Sequence, residues 1–365
     1  MEIKIQRSLL LDVLSKSQGV VEKKNTMPVL AHVLLETTDS SIKLTATDLE
    51  VAYIAHIQAQ VLQPGKITVS AKSLHDIVRE LTLDEVKITL KENDRLEITS
   101  GKSRFSIPGI SANEFPTIPL VSKEPISIPG ELILGMIQKT AFAMSLDETR
   151  HHLAGVLLEQ KENGKIRFVA TDGHRLAVSD CSIPVDGFGN IRVIIPRKGI
   201  NELKRMASRE GSIEISIGDK NMVARKGDET LFVRLIDGEF PDYHRVIPQN
   251  NTKIATLPRD HLVGALRRVS LLSNERARGV MLSFSPGHLD ISITNPDLGE
   301  AKEELEADYK NEKMSVGFNA RYFLDVLDVI KKDTVTISLN TELAPAIIRE
   351  AGDDSFLYVI MPMRL

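Results

Sequence analysis

This chain of 365 residues has one cysteine, no tryptophan and few aromatic side chains, with five Tyr and eleven Phe. A lone Cys181 excludes a disulfide framework and leaves little room for thiol chemistry. Scarce aromatics exclude a stacking platform for single-stranded nucleic acid. Nowhere do 18 consecutive apolar residues occur, so no transmembrane helix is expected. Met1-Glu2-Ile3-Lys4 is followed by no apolar leader, which makes a soluble, cytoplasmic protein the expectation and leaves the Asn250-Asn251-Thr252 sequon idle. The net charge of −4 argues by its sum against nucleic acid, but the placement of the charges matters more.

What is present is repetition. Asp48 in Thr47-Asp48-Leu49, Asp172 in Thr171-Asp172-Gly173 and Asn295 in Thr294-Asn295-Pro296 stand 124 and 123 residues apart. Phe115-Pro116, Phe240-Pro241 and Met361-Pro362 keep nearly the same time, at 125 and 121. Two unrelated marks at one period imply a triplicated domain. Boundaries fall where Pro, Ser, Lys and Asn cluster, which gives repeats at 1–121, 122–248 and 249–365.

Each third follows one script. Amphipathic helices are expected over 8–17, 131–144 and 259–272, and strands over 29–36, 153–159 and 279–284. Second helices are expected over 72–81, 198–207 and 320–331. The script also halves: a β run leads into a helix near Ile3, Ile67, Ile126, Val193, Ile254 and Met314. One half-unit carries too little to bury a core, so two must pair. The fold class is α+β, three tandem domains, each of two helices packed on antiparallel sheets.

The helices carry much of the positive charge. Lys72, His75 and Arg79 line the polar side of one. Arg197, Lys198, Lys204 and Arg205 lie outside another, and Arg259, Arg267 and Arg268 outside a third. Acidic residues gather elsewhere, as at Glu300, Glu303, Glu304, Glu306 and Asp308. For one helix this is an ordinary solvated face, but three helices placed alike suggest a shared positive surface. Smooth Lys and Arg supply no base-edge geometry, so the fitting target is duplex backbone, without sequence preference.

Catalytic motifs fail on inspection. Gly101-Lys102-Ser103 has Leu96 where a phosphate loop needs glycine, and it opens no helix. His151-His152 with Asp172 and His174 could suggest a metal, but adjacent histidines point to different faces. Asp48, Asp172 and Asn295 read as turn residues whose side chains cap their own backbone. No catalytic residue, metal or cofactor is expected. A hydrolase using Asp172 and His174, or a scaffold that binds only proteins, are the alternatives.

Thr171-Asp172-Gly173-His174-Arg175-Leu176-Ala177, Phe240-Pro241-Asp242-Tyr243 and Met361-Pro362-Met363-Arg364-Leu365 closely resemble the bacterial DNA polymerase III beta subunit family, the sliding clamps. Ile195-Pro196-Arg197-Lys198-Gly199 and Leu272-Ser273-Asn274-Glu275 match it too, and the resemblance runs through the whole chain. It implies a non-enzymatic processivity factor, a three-domain crescent that dimerises head to tail into a ring around double-stranded DNA. It implies DNA contacts at Lys24, Lys72, Arg197, Lys198, Arg205 and Arg268, to which the helix stripes add Arg79 and Lys204. His151 and His152 stand where some relatives place tyrosines that touch tilted DNA.

The resemblance further implies a pocket for short peptides of the DNA polymerase III alpha subunit, the clamp loader and other clamp-binding proteins. Its positions are Leu153, Thr171, Gly173, His174, Arg175, Leu176, Pro241, Arg245, Val246, Val359, Ile360, Met361, Pro362, Met363 and Arg364. A dimer interface would bring Phe105 and Ile107 against Leu271 and Leu272. Arg95, Lys102 and Arg104 would flank it, opposite Asp297, Glu300, Glu303 and Glu304, with Gly299 and Lys302 interrupting the acidic run. Replacing Lys198 and Arg205 by Ala is expected to lower the salt slope of DNA binding and spare the dimer.

Overall fold

The computed structural model describes residues 1–22, 27–119, 123–147, 149–161, 164–183, 189, 191–273 and 278–365. The first repeat runs β1 (Glu2–Gln6), α1 (Arg7–Ser17), β2 (His32–Thr37), β3 (Ser41–Thr47), β4 (Val51–Gln63), β5 (Lys66–Ser70), α2 (Ala71–Glu80), β6 (Glu85–Leu90), β7 (Arg95–Ser100) and β8 (Ser103–Ile110). The second runs β9 (Ile126–Pro129), α3 (Gly130–Thr140), β10 (Gly155–Gln160), β11 (Lys165–Thr171), β12 (Arg175–Ser182), β13 (Arg192–Pro196), α4 (Arg197–Ala207), β14 (Ser212–Ile217), β15 (Asn221–Lys226) and β16 (Glu229–Arg234). The third runs β17 (Lys253–Pro258), α5 (Arg259–Val269), β18 (Gly279–Ser285), β19 (His288–Asn295), β20 (Gly299–Glu306), β21 (Met314–Asn319), α6 (Ala320–Leu327), β22 (Thr334–Leu339), β23 (Ala346–Glu350) and β24 (Phe356–Ile360). The order βαβββ thus occurs six times, and every strand expected to lead into a helix does so without a linker.

Two compact units arise, residues 1–133 with 198–235, and residues 134–197 with 236–365. In the first, a sheet of twelve strands runs β1-β6-β7-β8-β5-β2-β3-β4-β16-β15-β14-β9, and β1 also pairs β4. In the second, an eight-stranded sheet runs β13-β10-β11-β12-β24-β23-β22-β17, and a four-stranded one β20-β19-β18-β21. Named pairings are antiparallel, both in hairpins such as β19·β20 and between strands distant in sequence such as β4·β16. Compactness follows these sheets and cuts through the middle repeat: β9 and β14 to β16 fall in the first unit, β10 to β13 in the second.

Each helix lays an apolar face on a sheet. α2 buries Ala71, Leu74 and Val78, and its first turn is capped by Ser70 Oγ accepting from Ser73 N at 3.2 Å. α4 buries Ile200, Leu203 and Met206. Several helices are shorter than expected from periodicity. α3 stops at Thr140, whose hydroxyl donates back to Met136 O at 2.7 Å, and a 3₁₀ turn Ala141–Ala143 follows. α5 likewise gives way to 3₁₀ at Ser270–Leu272, and α6 ends at Leu327. The strands expected from Val29 and Leu153 begin instead at His32 and Gly155, after 3₁₀ turns Pro28–Ala31 and His151–Leu153. Pro28 presets the first of these turns. Among the described residues no helix is long and apolar enough to cross a membrane.

Candidate functional site

The three period marks are turns. Asp48 Oδ1 accepts from Glu50 N at 3.0 Å and Val51 N at 2.7 Å. Asp172 Oδ1 accepts from His174 N at 2.9 Å and Arg175 N at 3.1 Å, and Asn295 Oδ1 from Asp297 N at 3.0 Å. These side chains do the turn chemistry expected of them. Gly173 sits there with φ +90°, where any side chain would be strained.

In the second unit this turn opens a surface. β12 lies beside β24 with Arg175 opposite Ile360 and Leu176 opposite Val359, and Met361 N donates to His174 O at 2.9 Å. Of the peptide-pocket candidates, Leu153, Leu176, Val359 and Ile360 are buried, and the first three belong to the core cluster around Phe240 and Tyr243. Gly173, His174, Pro241, Arg245, Val246 and Arg364 are exposed, while Thr171, Met361, Pro362 and Met363 are half-buried. The result is an apolar floor with an exposed rim at one end of the β12·β24 pair. Arg245 leans on Asp242 at 2.9 Å and keeps most of its surface free.

Arg175, expected in the peptide pocket, is a largely buried strut. Its side chain is 9 % exposed, and it donates to Asp172 Oδ2 at 3.0 Å, Asp325 Oδ2 at 2.5 Å and Phe142 O at 2.6 Å. Its guanidinium also stacks over the Tyr322 ring at 4.5 Å. Burial works against its charge, but Tyr358, Asp325 and Asp172 outweigh that and raise its pKa. It holds the turn in place from beneath.

The expected DNA residues divide into two groups. Lys72, Arg79, His151, His152 and Lys204 are exposed; Lys72 lies 3.4 Å from Asp76, and Arg79 donates to Glu80 at 3.0 Å. Arg197, Lys198 and Arg205 are half-buried and held by protein groups, and exposed Arg268 is held by a carboxylate. Arg197 donates to Met144 O at 3.2 Å and Ser145 O at 2.5 Å, and burial lowers its pKa. Lys198 donates to Val20 O at 2.7 Å and pairs with Asp48, so it staples the first turn mark. Arg205 pairs with Glu202, and Arg268 makes a two-pronged pair with Glu303 at 2.7 and 2.8 Å. Lys198 and Arg197 were expected outside, but carbonyls distant in sequence draw them in. Lys24, and Asn274 and Glu275 of the family motif, lie outside the described residues.

At the expected interface, Phe105 is 38 % and Leu271 78 % exposed, with Ile107 and Leu272 half-buried. Arg95 donates to Ser106 Oγ at 3.0 Å, Arg104 to Glu97 Oε2 at 2.5 Å, and Lys102 is exposed. Asp297, Glu300 and Glu304 are exposed, with Glu303 taken by Arg268. Among the described residues β20 pairs only with β19. β8 pairs with β7 from Ser103 to Pro108, and with β5 only at Gly109 and Ile110. Both are edges that present unpaired backbone groups.

Residues 1–119 match the DNA polymerase III beta subunit N-terminal domain, 127–242 its central domain and 244–364 its C-terminal domain. The chain belongs to the DNA polymerase III beta subunit family. It is 40% identical over 371 residues to the beta sliding clamp of Pseudomonas putida, covering 100% of both chains. Its fold matches the crystal structure of the Pseudomonas aeruginosa subunit with a TM-score of 0.96 at 39% identity, over 100% of both chains. A Bacillus subtilis sliding clamp matches at 0.96 with 28% identity, over 100% of this chain and 99% of that one. Clamp sequences can therefore diverge widely on one backbone, which fits an architecture set by six repeated βαβββ units.

His288, Asp290 and Glu304 bring ligand atoms within 4.8 Å of one another on the β19·β20 face, but Lys302 already holds Asp290 at 3.1 Å. The sequence reading missed this cluster; its signal was the alternation of His288 and Asp290 along one strand.

Proposed function

We propose that two copies of this chain close head to tail into a ring around duplex DNA and tether a replicative polymerase to it. As a sliding clamp the chain is a processivity subunit and not a catalyst. The observation that carries the ring is a missing pair. β4 of the first repeat pairs β16 of the second, and β12 of the second pairs β24 of the third. By order, β20 of the third matches β4 and β12, and β8 of the first matches β16 and β24. Those two edges have no such partner among the described residues, and a second copy would supply one for each. The interface is heterologous and closes by rotation. Leu271 and Phe105 give it apolar surface, and the acidic β20 faces basic Arg95, Lys102 and Arg104.

Around DNA, exposed Lys72, Arg79, Lys204, His151 and His152 touch phosphates, with Lys24, Arg197, Lys198, Arg205 and Arg268 completing the set. An encircling ring needs only such weak, sequence-independent contacts. The three repeats, 1–121, 122–248 and 249–365, act as the three domains of the clamp, in the cytoplasm. The β12·β24 surface takes extended peptides of the polymerase III alpha subunit, the clamp loader and other clamp-binding proteins, with an apolar side chain over Leu176 and Val359 and polar ends at His174 and Arg245.

The test is retention on DNA. Loaded on a nicked circular plasmid, the protein should stay bound in high salt and leave once the plasmid is linearised. Leu271→Asp should sediment as a monomer and not be retained. Retention on linear DNA, or a Leu271→Asp dimer, would overturn the ring.

A further inference from the structure

The first unit carries a groove of about 480 Å³ over β3, β4, β16 and β15, lined by none of the DNA, peptide-pocket or interface residues assigned above. Its floor is apolar, built from Leu34, Phe115, Val223 and Phe232. Lys43, Lys66 and Arg225 stand at its edge. Lys43 is partly neutralised by Glu36 at 3.3 Å. Lys66 and Arg225 are exposed and have no carboxylate within ion-pair distance among the described residues. Thr45 also lines the groove; it is 3 % exposed, and its hydroxyl has no hydrogen-bond partner among the described residues. A buried hydroxyl left unpaired is costly, and such groups are rare in folded proteins.

The repeat shows that this opening is not a requirement of the fold. Thr45 pairs across to Leu34 and Ile54, and Val223 to Phe232. In the second unit Val169 pairs to Leu157 and Val178, and Ile347 to Val359, in the same register. There the place of Thr45 is taken by a valine, and Tyr243, three residues after Phe240, packs into the core cluster. In the first unit the residue three after Phe115 is Ile118, half-buried at the edge of the groove. At this one place the second unit carries an aromatic ring and the first a smaller isoleucine packed on Val223 and Phe232, with two unpaired cations at the mouth of its groove among the described residues. The second unit keeps an opening of about 450 Å³ beside that ring, at Leu157, Arg192 and Phe240.

We propose that this groove is a second peptide-docking site, for an extended acidic segment of a partner protein. An aromatic or branched side chain enters between Phe115 and Phe232, and carboxylates on either side meet Lys66 and Arg225. The inference does not rest on the ring or on the β12·β24 surface.

The probe is a fluorescein-labelled peptide, Asp-Phe-Asp-Leu-Asp, titrated against the full chain by anisotropy, with its Asp-to-Lys counterpart as control. Saturable binding of the acidic peptide alone is expected. Lys66→Glu with Arg225→Glu, both on the surface, should weaken it at least about tenfold, the sum expected of two reversed rim charges. Ile118→Tyr, which copies Tyr243, should abolish it, and Val246→Asp at the other surface should leave it unchanged. The proposal is overturned by equal binding of the lysine peptide, by no binding at millimolar peptide, or by binding indifferent to the charge reversal. Loss with Val246→Asp would overturn it too, as would displacement of the probe by a short DNA duplex, which would assign the patch to phosphate.

Discussion

Over β3, β4 and β16 the chain keeps a basic groove with Ile118 packed on its floor, and over the matching strands β11, β12 and β24 it packs the larger Tyr243 at the position of Ile118. The filled copy is a closed polar network. Tyr243 donates its hydroxyl to buried Glu159, Arg167 donates to Tyr243 Oη at 3.3 Å, and Arg167 grips Asp180 at 2.5 and 2.6 Å. Burial and Glu159 push the Tyr243 hydroxyl pKa up, so it stays a donor at any working pH. The open copy replaces Arg167 by Lys43, Val169 by Thr45 and Tyr243 by Ile118. The same strands can serve as core or as receptor, and a few side chains decide which.

The comparison breaks most visibly at Tyr243. Tyr243→Ala should destabilise the protein by about 3–5 kcal/mol, from the void and the lost hydrogen bond to buried Glu159. Denaturant unfolding checks this; a loss below about 1 kcal/mol would mean the groove tolerates emptiness in both copies.

The next effect is one of sign. Burial disfavours the Glu159 carboxylate, but the Tyr243 and Lys161 hydrogen bonds outweigh it and hold its pKa below the ordinary 4.5. A depressed folded pKa contributes stability above pH 4.5 that is lost as pH falls through the folded value. Glu202 on α4 is the opposite case, raised chiefly by burial, with Arg205 and Lys198 pulling the other way. Its contribution is greatest at low pH and declines as pH rises from 4.5 through the raised value. Relative to wild type, Glu159→Gln should therefore lose least at pH 3, and Glu202→Gln should gain most near pH 7. Thermal unfolding across pH 3–8 reads both, and parallel profiles would refute the assignment.

The smallest effect is Thr45→Val, which copies Val169. Removing an unpaired hydroxyl should stabilise the protein by about 1 kcal/mol, read by denaturant unfolding. A destabilised variant would mean that the Thr45 hydroxyl has a partner.

Much of this architecture was legible from period alone. The marks at Asp48, Asp172 and Asn295 fall where turns occur, and the six βα junctions follow the change from two-residue to 3.6-residue periodicity. Helix ends were less legible, because Thr140 and the 3₁₀ turn after Val269 shorten apolar patterns that continue past them. The site was legible as a neighbourhood but not as roles. Arg197 and Lys198 read as surface cations and Arg175 as a pocket position, and only the fold brings Met144 O, Asp48 and Asp325 to them. The open groove left a trace that comparing repeats could have exposed: Thr45 where the second repeat has Val169, and Ile118 where it has Tyr243.

The two unmatched edges, β8 and β20, lie on different strands of one chain, so on the proposed pairing their defects are complementary rather than additive. A copy spoiled only at β8 mixed with a copy spoiled only at β20 would still join once. The product is an open two-copy arc with one sound seam, able to meet DNA from the side and leave the same way. Such a mixed pair would separate assembly from enclosure, which no single substitution can do when both copies are alike.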